Sequence, residues 1–213
     1  MNNHILVAKQ KKIEKYNAFS HALGAFLSLG ALFLLLNKAS KTHSLISTWA
    51  YLVYTLSLFA MFFNSALYHS LAFSKYKTLF RKFDHAAIYV LIAGTYTPYL
   101  LIGLADSYAH LALAIIWFLA IVGMIFEILV VGKWPKVSLA LYLSLGWFCV
   151  VIFFPLWQKI AWPGLVWLAS GGLTYSLGTH FYRQKYKDWA HFIWHIFVFF
   201  GALFMFISIY YYL

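Results

Sequence analysis

Long, continuously apolar runs are the feature that most constrains how this chain can fold. A membrane-spanning helix needs about 20 predominantly apolar residues, whereas a transmembrane β-barrel shows runs of about ten residues that alternate in polarity. Seven runs of the helical kind follow one another with short polar breaks, near residues 17–36, 46–71, 84–104, 108–131, 137–154, 160–181 and 189–212. The sequence therefore predicts an all-α integral membrane protein, a seven-transmembrane helix bundle. Residues 1–16 would form an N-terminal tail and residues 17–213 the membrane domain.

The composition excludes an ordinary soluble domain. Only 10% of the 213 residues are charged and 64% are hydrophobic, whereas about a quarter of the residues in a soluble domain are charged. The net charge of +11 would on its own also fit a nucleic-acid-binding protein. However, the basic residues lie in short clusters between the apolar runs and not along one soluble face. We therefore interpret them as topology signals and expect no nucleic-acid partner.

The distribution of the basic residues predicts the orientation. With a cytoplasmic N-terminus, the outer segments hold three of the Lys and Arg residues, namely Lys38, Lys41 and Lys159. The inner segments hold the other thirteen: Lys9, Lys11, Lys12, Lys15, Lys75, Lys77, Arg81, Lys82, Lys133, Lys136, Arg183, Lys185 and Lys187. Cytoplasmic loops of membrane proteins carry an excess of basic residues. The count thus predicts that the N-terminus is cytoplasmic and the C-terminus outside.

Two further observations restrict the chemistry and the processing of the chain. The first run is longer than the core of a typical signal peptide, and no small-x-small cleavage motif follows it, so we expect it to be a retained span. Cys149 is the only cysteine and lies in an apolar run, which excludes an intrachain disulfide and a cysteine-rich metal site. A metal ion would have to be bound by histidine or carboxylate.

Polar and ionisable side chains inside membrane spans are costly and indicate function. In the predicted orientation, His69 falls at the cytoplasmic end of the second run and Asp84 at the same end of the third. His191 and His195 fall in the first two turns of the seventh run, which also starts inside. Three histidines and one carboxylate from three helices are therefore expected in the same leaflet.

The spacing of these residues favours a metal site. Residues four apart lie on one face of a helix, with Cβ atoms about 5–6 Å apart, so His191 and His195 can bind one ion. The same spacing places Ser65 on the face that carries His69. Three histidine ligands with an open fourth position are typical of catalytic zinc, and Asp84 could hold or deprotonate a water there.

Other interpretations of the histidines stay open at this point. A histidine pair near the headgroups can lie at the interface without a metal, and haem ligation by His69 and one histidine of the seventh run is a further alternative. Helical geometry places His85 about 100° from Asp84, so we do not expect it to share that role. His21 and His180 lack a partner at helical spacing and are expected to have supporting or interfacial roles. Glu127 has no assigned role.

Short motifs along nearly the whole chain resemble those of a known family. They are Glu14 with Asn17 and Ser20-His21-Ala22-Leu23-Gly24, then Ser65-Ala66-Leu67-Tyr68-His69, then Phe83-Asp84-His85 leading to Ala93-Gly94-Thr95-Tyr96-Thr97-Pro98, and finally His191-Phe192-Ile193-Trp194-His195. Together they resemble the hemolysin III branch of the progestin and adipoQ receptor (PAQR) superfamily.

The resemblance implies a site and an activity. It implies seven spans, zinc bound by His69, His191 and His195, and Asp84 and Ser65 placed around the metal-bound water. The same layout recurs in alkaline ceramidases, which cleave a lipid amide, and the wider group is regarded as membrane hydrolases. Bacterial members are linked to membrane-lipid homeostasis, so the implied location is the bacterial inner (cytoplasmic) membrane.

Three functions follow as hypotheses. The first is a zinc-dependent hydrolase of a lipid amide or ester, with Asp84 as general base and Ser65 as hydrogen-bond donor to the developing oxyanion. The second is a non-catalytic sensor or regulator of the membrane state, with structural zinc and a lipid ligand. The third, a lytic pore, is disfavoured because the runs lack a ring of charges or a polar stripe. A retinal protein is excluded because the seventh run has no lysine after Lys187, and receptors coupled to G proteins have the reverse orientation.

Overall fold

The computed structural model describes residues 3–184 and 187–213, so Lys185 of the topology count lies outside the described residues. The described chain is helical and contains no β-strand, which confirms the all-α prediction. Its eight α-helices are α1 (Asn3–Thr42), α2 (Leu45–Ser70), α3 (Lys77–Pro98), α4 (Ser107–Val130), α5 (Pro135–Gly146), α6 (Phe153–Lys159), α7 (Trp162–Tyr182) and α8 (Ala190–Tyr212). A π-helical turn (Tyr99–Leu104) follows α3, and a 3-10 turn (Trp147–Val150) follows α5.

Five helices in the described ranges are long and apolar enough to cross a membrane: α1, α2, α3 with its π-helical turn, α4 and α8. The segment formed by α5, the 3-10 turn and α6 meets the same criterion as a pair bent by 47°, which makes six. Helix α7 has 21 residues, but Gly, Ser and Thr interrupt its apolar sequence. All seven predicted runs overlap one of these helices or the bent pair. Seven crossings and the orientation of the termini stay predictions.

Helix α1 is much longer than the run predicted at 17–36. Its 40 residues correspond to about 60 Å at 1.5 Å per residue, whereas the hydrocarbon core of a bilayer is about 30 Å thick. The described part of the predicted tail is therefore a helical extension of the first span. Close to its start, Lys9 forms an ion pair with Asp188, with 2.5 Å between Nζ and Oδ2.

Helices that are neighbours in sequence pack against each other. Helix α1 packs on α2, α2 on α3, α3 on α4 and α7 on α8, while contacts between α8 and α1 link the two ends of the chain. Large side chains such as Tyr54, Leu100 and Ile209 are completely buried between them. The contact between α1, α2 and α8 brings together the segments that carry His69, His191 and His195.

The run predicted at 137–154 as one continuous span is in fact broken, which corrects that part of the prediction. A break in a membrane helix leaves backbone groups without partners, and these must be satisfied within the protein. The Tyr96 hydroxyl of α3 does this by donating to the carbonyl of Gly146 at 2.7 Å and by accepting from the backbone N–H of Cys149 at 2.7 Å. A tyrosine from another helix thus supplies partners for the backbone groups at the bend.

Close packing of α3 on α2 depends on Gly94. A Cβ atom at this position would lie 2.7 Å from the Cβ atom of Ser57. We expect Gly94→Ala to lower the free energy of unfolding by about 1–3 kcal/mol, because overpacking forces neighbouring groups to move. The measurement is the thermal unfolding midpoint of the purified protein in detergent. Gly30→Ala is the matched control, since its new Cβ would meet no atom within 4 Å; equal midpoints for the two variants would contradict the prediction.

Candidate metal centre

The three histidines predicted as ligands meet at one end of the bundle. His69 lies in the last turn of α2, and His191 and His195 lie in the first two turns of α8. One nitrogen from each lies within 4.8 Å of the others. The Nε2 atom of His191 is 3.2 Å from Nε2 of His69 and 3.2 Å from Nε2 of His195. The expectation that these side chains converge on one point is confirmed.

The spacing of the nitrogens fits a tetrahedral metal ion. With Zn–N bonds of about 2.0–2.1 Å, two ligands of a tetrahedral site lie about 3.3–3.4 Å apart. The two observed separations of 3.2 Å are close to this value. Three imidazole nitrogens within 4.8 Å of one another could therefore bind one ion, and the donor set suits a divalent metal such as zinc.

Glu14 of α1 orients the ring of His69. Its Oε2 atom lies 2.5 Å from Nδ1 of His69, and the Asn17 amide also donates to this oxygen at 3.5 Å. A carboxylate accepts hydrogen bonds, so the contact holds a proton on Nδ1 and leaves the Nε2 lone pair directed at the centre. Metal-binding histidines commonly have such an outer partner.

A second set of contacts from α1 orients the ring of His195, which is only 1% exposed. Its Nδ1 atom lies 3.1 Å from the Ser20 hydroxyl and 3.3 Å from the carbonyl oxygen of Asn17. The Ser20 hydroxyl donates its own proton to that carbonyl at 2.8 Å, so it offers a lone pair to His195. Both contacts therefore hold the proton on Nδ1 and leave Nε2 as a lone pair.

These two orientations leave two lone pairs that could bind a cation. The Nε2 lone pairs of His69 and His195 both face Nε2 of His191. If Nε2 of His191 carries a proton, it can donate that proton to only one of these two nitrogens at a time. If Nε2 of His191 is unprotonated, a metal ion can accept a lone pair from each of the three histidines. The three histidines are therefore able to hold a metal ion.

His21 lies against the centre but outside the ligand set. Its ring stacks on that of His195, with centroids 3.6 Å apart and an interplanar angle of 17°. Neither ring nitrogen has a hydrogen-bond partner in the described parts of the chain. His21 thus supports His195 by packing. His180, by contrast, is exposed at the end of α7 and contacts Gln184, away from the three ligands.

The centre opens into a cavity of about 830 Å³. Ser65 and Asp84, predicted beside the metal, both line it together with the three histidines. Ser65 is 2% exposed, and Asp84 is half-buried. Asp84 does not belong to the group of residues whose ligand atoms lie within 4.8 Å of one another, so it shares the cavity wall with the three histidines without being one of that group. Much of the remaining wall is apolar, for example at Met61, Leu91, Ile92, Leu165, Val198 and Met205.

Glu14 and Glu127 acquire partners that the sequence reasoning did not assign. In the sequence, Glu14 was identified only as part of a motif. The helical spacing of Glu14, Asn17 and His21 nevertheless indicates that they share one face of a helix. Glu127 is completely buried in α4 and binds His85 of α3, with 2.7 Å between Oε1 and Nδ1. No local signal connects these two residues, which are 42 positions apart.

Comparison with known proteins gives a consistent result. A family model described as "Haemolysin-III related" matches residues 9–206. The chain is 41% identical over 201 residues to "Hemolysin-3" of Bacillus cereus, which covers 94% of this chain and 92% of the relative. It is 37% identical over 201 residues to the "Hemolysin-3 homolog" of Bacillus subtilis (strain 168), with 94% of each covered. A more distant match is the human "Monocyte to macrophage differentiation factor", 29% identical over 188 residues, covering 85% of this chain and 76% of the relative. These matches confirm the resemblance inferred from the motifs.

Proposed function

We propose that this chain, which belongs to the haemolysin-III-related family, is a zinc-dependent hydrolase that cleaves an amide or ester bond of a membrane lipid. The observation that carries the proposal is the convergence of three imidazoles, two of them oriented by contacts from α1, on the wall of a large, mainly apolar cavity. In the proposed topology the chain crosses the bacterial cytoplasmic membrane seven times, with the N-terminus inside. The bent pair of α5 and α6 counts as one of these crossings. The centre then lies in the cytoplasmic leaflet.

The dimensions and the lining of the cavity support a lipid as substrate. Its volume of about 830 Å³ lies within the range of small-molecule sites, about 300–1,000 Å³. Apolar side chains from several helices can bury an acyl chain, whereas Lys77, Arg81 and Lys187 in the same wall suit the polar end of a lipid. A substrate with its chain in the bundle and its polar end toward the basic residues would place its carbonyl group between these two parts.

Zinc, when bound, supplies a Lewis acid for the carbonyl group and an acidified water. The Asp84 carboxylate takes a proton from the attacking water as general base and returns it to the leaving nitrogen or oxygen. The Ser65 hydroxyl donates a hydrogen bond to the carbonyl oxygen as negative charge develops there. His69 and His195 keep their positions through the contacts from α1.

We expect Asp84→Asn to lower kcat by about 10²–10⁴-fold, the usual contribution of a general base, while the variant retains its zinc. The assay is hydrolysis of a panel of N-acyl and O-acyl lipids by the purified, zinc-loaded protein, with products quantified by mass spectrometry. Asp106→Asn is the control, because Asp106 caps α4 by accepting from the N–H of Ala109 and asparagine caps equally well.

Two results would contradict the proposed activity. The first is the absence of turnover by the zinc-loaded wild type on the whole panel, and the second is full activity of Asp84→Asn. A protein that shows no turnover but unfolds when zinc is removed would instead support the regulator with structural zinc.

A further inference from the structure

Two lysines near the start of α1 have no charged partner within the part of the chain that the structure describes. Of the four lysines in this region, Lys9 forms an ion pair with Asp188, and Lys11 lies over an aromatic ring just after α2. Lys12 and Lys15 are exposed, and neither forms an ion pair with a described acidic side chain. Two positive charges at this end of the bundle are therefore available to a partner outside the chain.

The two lysines share one face of α1 with two aromatic residues. A spacing of three, four and seven positions places four side chains next to one another along the helix. They are Lys12, Lys15, Tyr16 and Phe19, and they line an open groove of about 280 Å³, the α1 groove. Tyr16 packs against Trp189, the residue before α8, with ring centroids 5.5 Å apart. The α1 groove thus combines two cations with accessible aromatic surface.

The α1 groove lies at the depth of the lipid headgroups in the proposed topology. The first predicted run begins at residue 17, so a rise of 1.5 Å per residue places Lys15 about 3 Å and Lys12 about 7.5 Å outside the hydrocarbon core. The headgroup layer on each side of a bilayer is about 5–8 Å thick. Phe19 lies about 3 Å inside the core by the same rise. The two ammonium groups are therefore at the level of the phosphates, where Tyr and Trp are also enriched.

An exposed apolar strip continues from the α1 groove toward the centre of the membrane. Leu23 and Phe26 lie four and seven positions after Phe19, so the three side chains share one face of the helix. They are 43%, 70% and 69% exposed, respectively. An acyl chain can pack along this strip while its headgroup stays beside the lysines. The surface therefore has both of the parts that bind a phospholipid.

We propose that the α1 groove binds an anionic phospholipid of the cytoplasmic leaflet. The phosphate group lies between the ammonium groups of Lys12 and Lys15, and one acyl chain packs along Phe19 and Phe26. None of the four groove residues is among the described residues that line the large cavity, so this lipid is a partner and not the substrate. The inference depends on the proposed topology but not on the proposed hydrolysis.

Charge complementarity selects an anionic lipid over a zwitterionic one. Basic residues at the headgroup level attract anionic lipids, whereas a zwitterionic headgroup carries a cation that needs its own acceptor. The acidic side chains described in this region are already paired, Glu14 with His69 and Asp188 with Lys9. Two unpaired lysines without an unpaired carboxylate therefore favour a headgroup with a net negative charge.

The test is native mass spectrometry of the purified protein in a neutral detergent. The protein is first incubated with an equimolar mixture of phosphatidylglycerol and phosphatidylcholine that carry the same acyl chains. We expect the wild type to bind at least about tenfold more phosphatidylglycerol than phosphatidylcholine, since two lysines contribute to the difference. The double variant Lys12→Gln/Lys15→Gln should reduce this ratio to about threefold or less, and Lys12→Arg/Lys15→Arg, which keeps both charges, should retain the ratio of the wild type.

The matched control is Lys133→Gln/Lys136→Gln. It removes two exposed lysines that are also three positions apart, at the start of α5 and on the same predicted side of the membrane. This variant should keep the ratio of the wild type, because its lysines lie outside the α1 groove. The variants are compared only after their elution volumes and helical circular dichroism show that they are folded.

Three results would overturn the inference. The first is equal binding of the two lipids by the wild type. The second is an equal loss of preference in the two glutamine variants, which would show a general effect of net charge and not a local site. The third is displacement of the bound lipid by an equimolar amount of glycerol 3-phosphate, which would show a site for a soluble anion that makes no use of the apolar strip.

Discussion

His195→Ala should abolish stoichiometric metal binding by the purified protein. The substitution removes one of three converging nitrogens and the ring that stacks on His21. Two imidazoles on separate helices then remain. We expect elemental analysis of the wild type to give a single metal ion per chain and that of the variant to give close to none, because a two-ligand site does not retain zinc during purification.

The matched control is His180→Ala, which makes the same substitution at an exposed position on the neighbouring helix α7. It should retain the full amount of metal. Because His195 is buried, each variant must also be shown to be folded by its elution volume and its helical circular dichroism. A folded His195→Ala variant with unchanged metal content would contradict the assignment of the centre.

Glu14→Gln should weaken metal binding by about 10–100-fold, the usual effect of losing the outer partner of a histidine ligand. The carboxylate of Glu14 holds the proton on Nδ1 of His69 at 2.5 Å. An amide lacks the negative charge, and its nitrogen can also face Nδ1 and favour the opposite tautomer, in which Nε2 carries the proton.

The experiment is a competition titration with a zinc chelator of known affinity, in detergent and at fixed pH. Asp106→Asn, which changes a carboxylate at the cap of α4, should leave the affinity unchanged. An unaltered affinity in Glu14→Gln would show that the contact between α1 and His69 has no role in binding the metal.

Much of the helical architecture could be predicted because apolar runs of about 20 residues allow few structures other than helices. The pairing of His191 with His195 could also be predicted, since a spacing of four places both on one helical face. The convergence of these two with His69 followed from the depth of each residue in the predicted topology. These predictions use local periodicity and membrane depth, which a single sequence contains.

The supporting contacts could not be predicted, because they depend on how helices pack. The position of Glu14 in the tail did not reveal that α1 continues as a helix and reaches the ring of His69. The same helix orients His195 through Ser20 and the backbone of Asn17. The pair of Glu127 and His85 and the bend stabilised by Tyr96 likewise join residues that are distant in sequence.

The three-histidine site explains the spacing of the first motif in physical terms. Positions 14, 17 and 21 lie on one face of α1, and this face contacts both ends of the metal centre. One helix thus sets the orientation of two ligands from two other helices. Substitutions on this face are expected to affect metal affinity, whereas those on the exposed face, for example at Phe26 or Phe33, are not.

X-ray absorption spectroscopy at the zinc edge tests the central claim most directly, since it reports the ligands of the ion in the intact purified protein. We expect three imidazole ligands and one further oxygen, with metal–ligand distances of about 2.0–2.1 Å. A protein isolated without a transition metal, or a zinc ion bound by sulfur or by fewer than three imidazoles, would contradict the claim that His69, His191 and His195 form the metal centre.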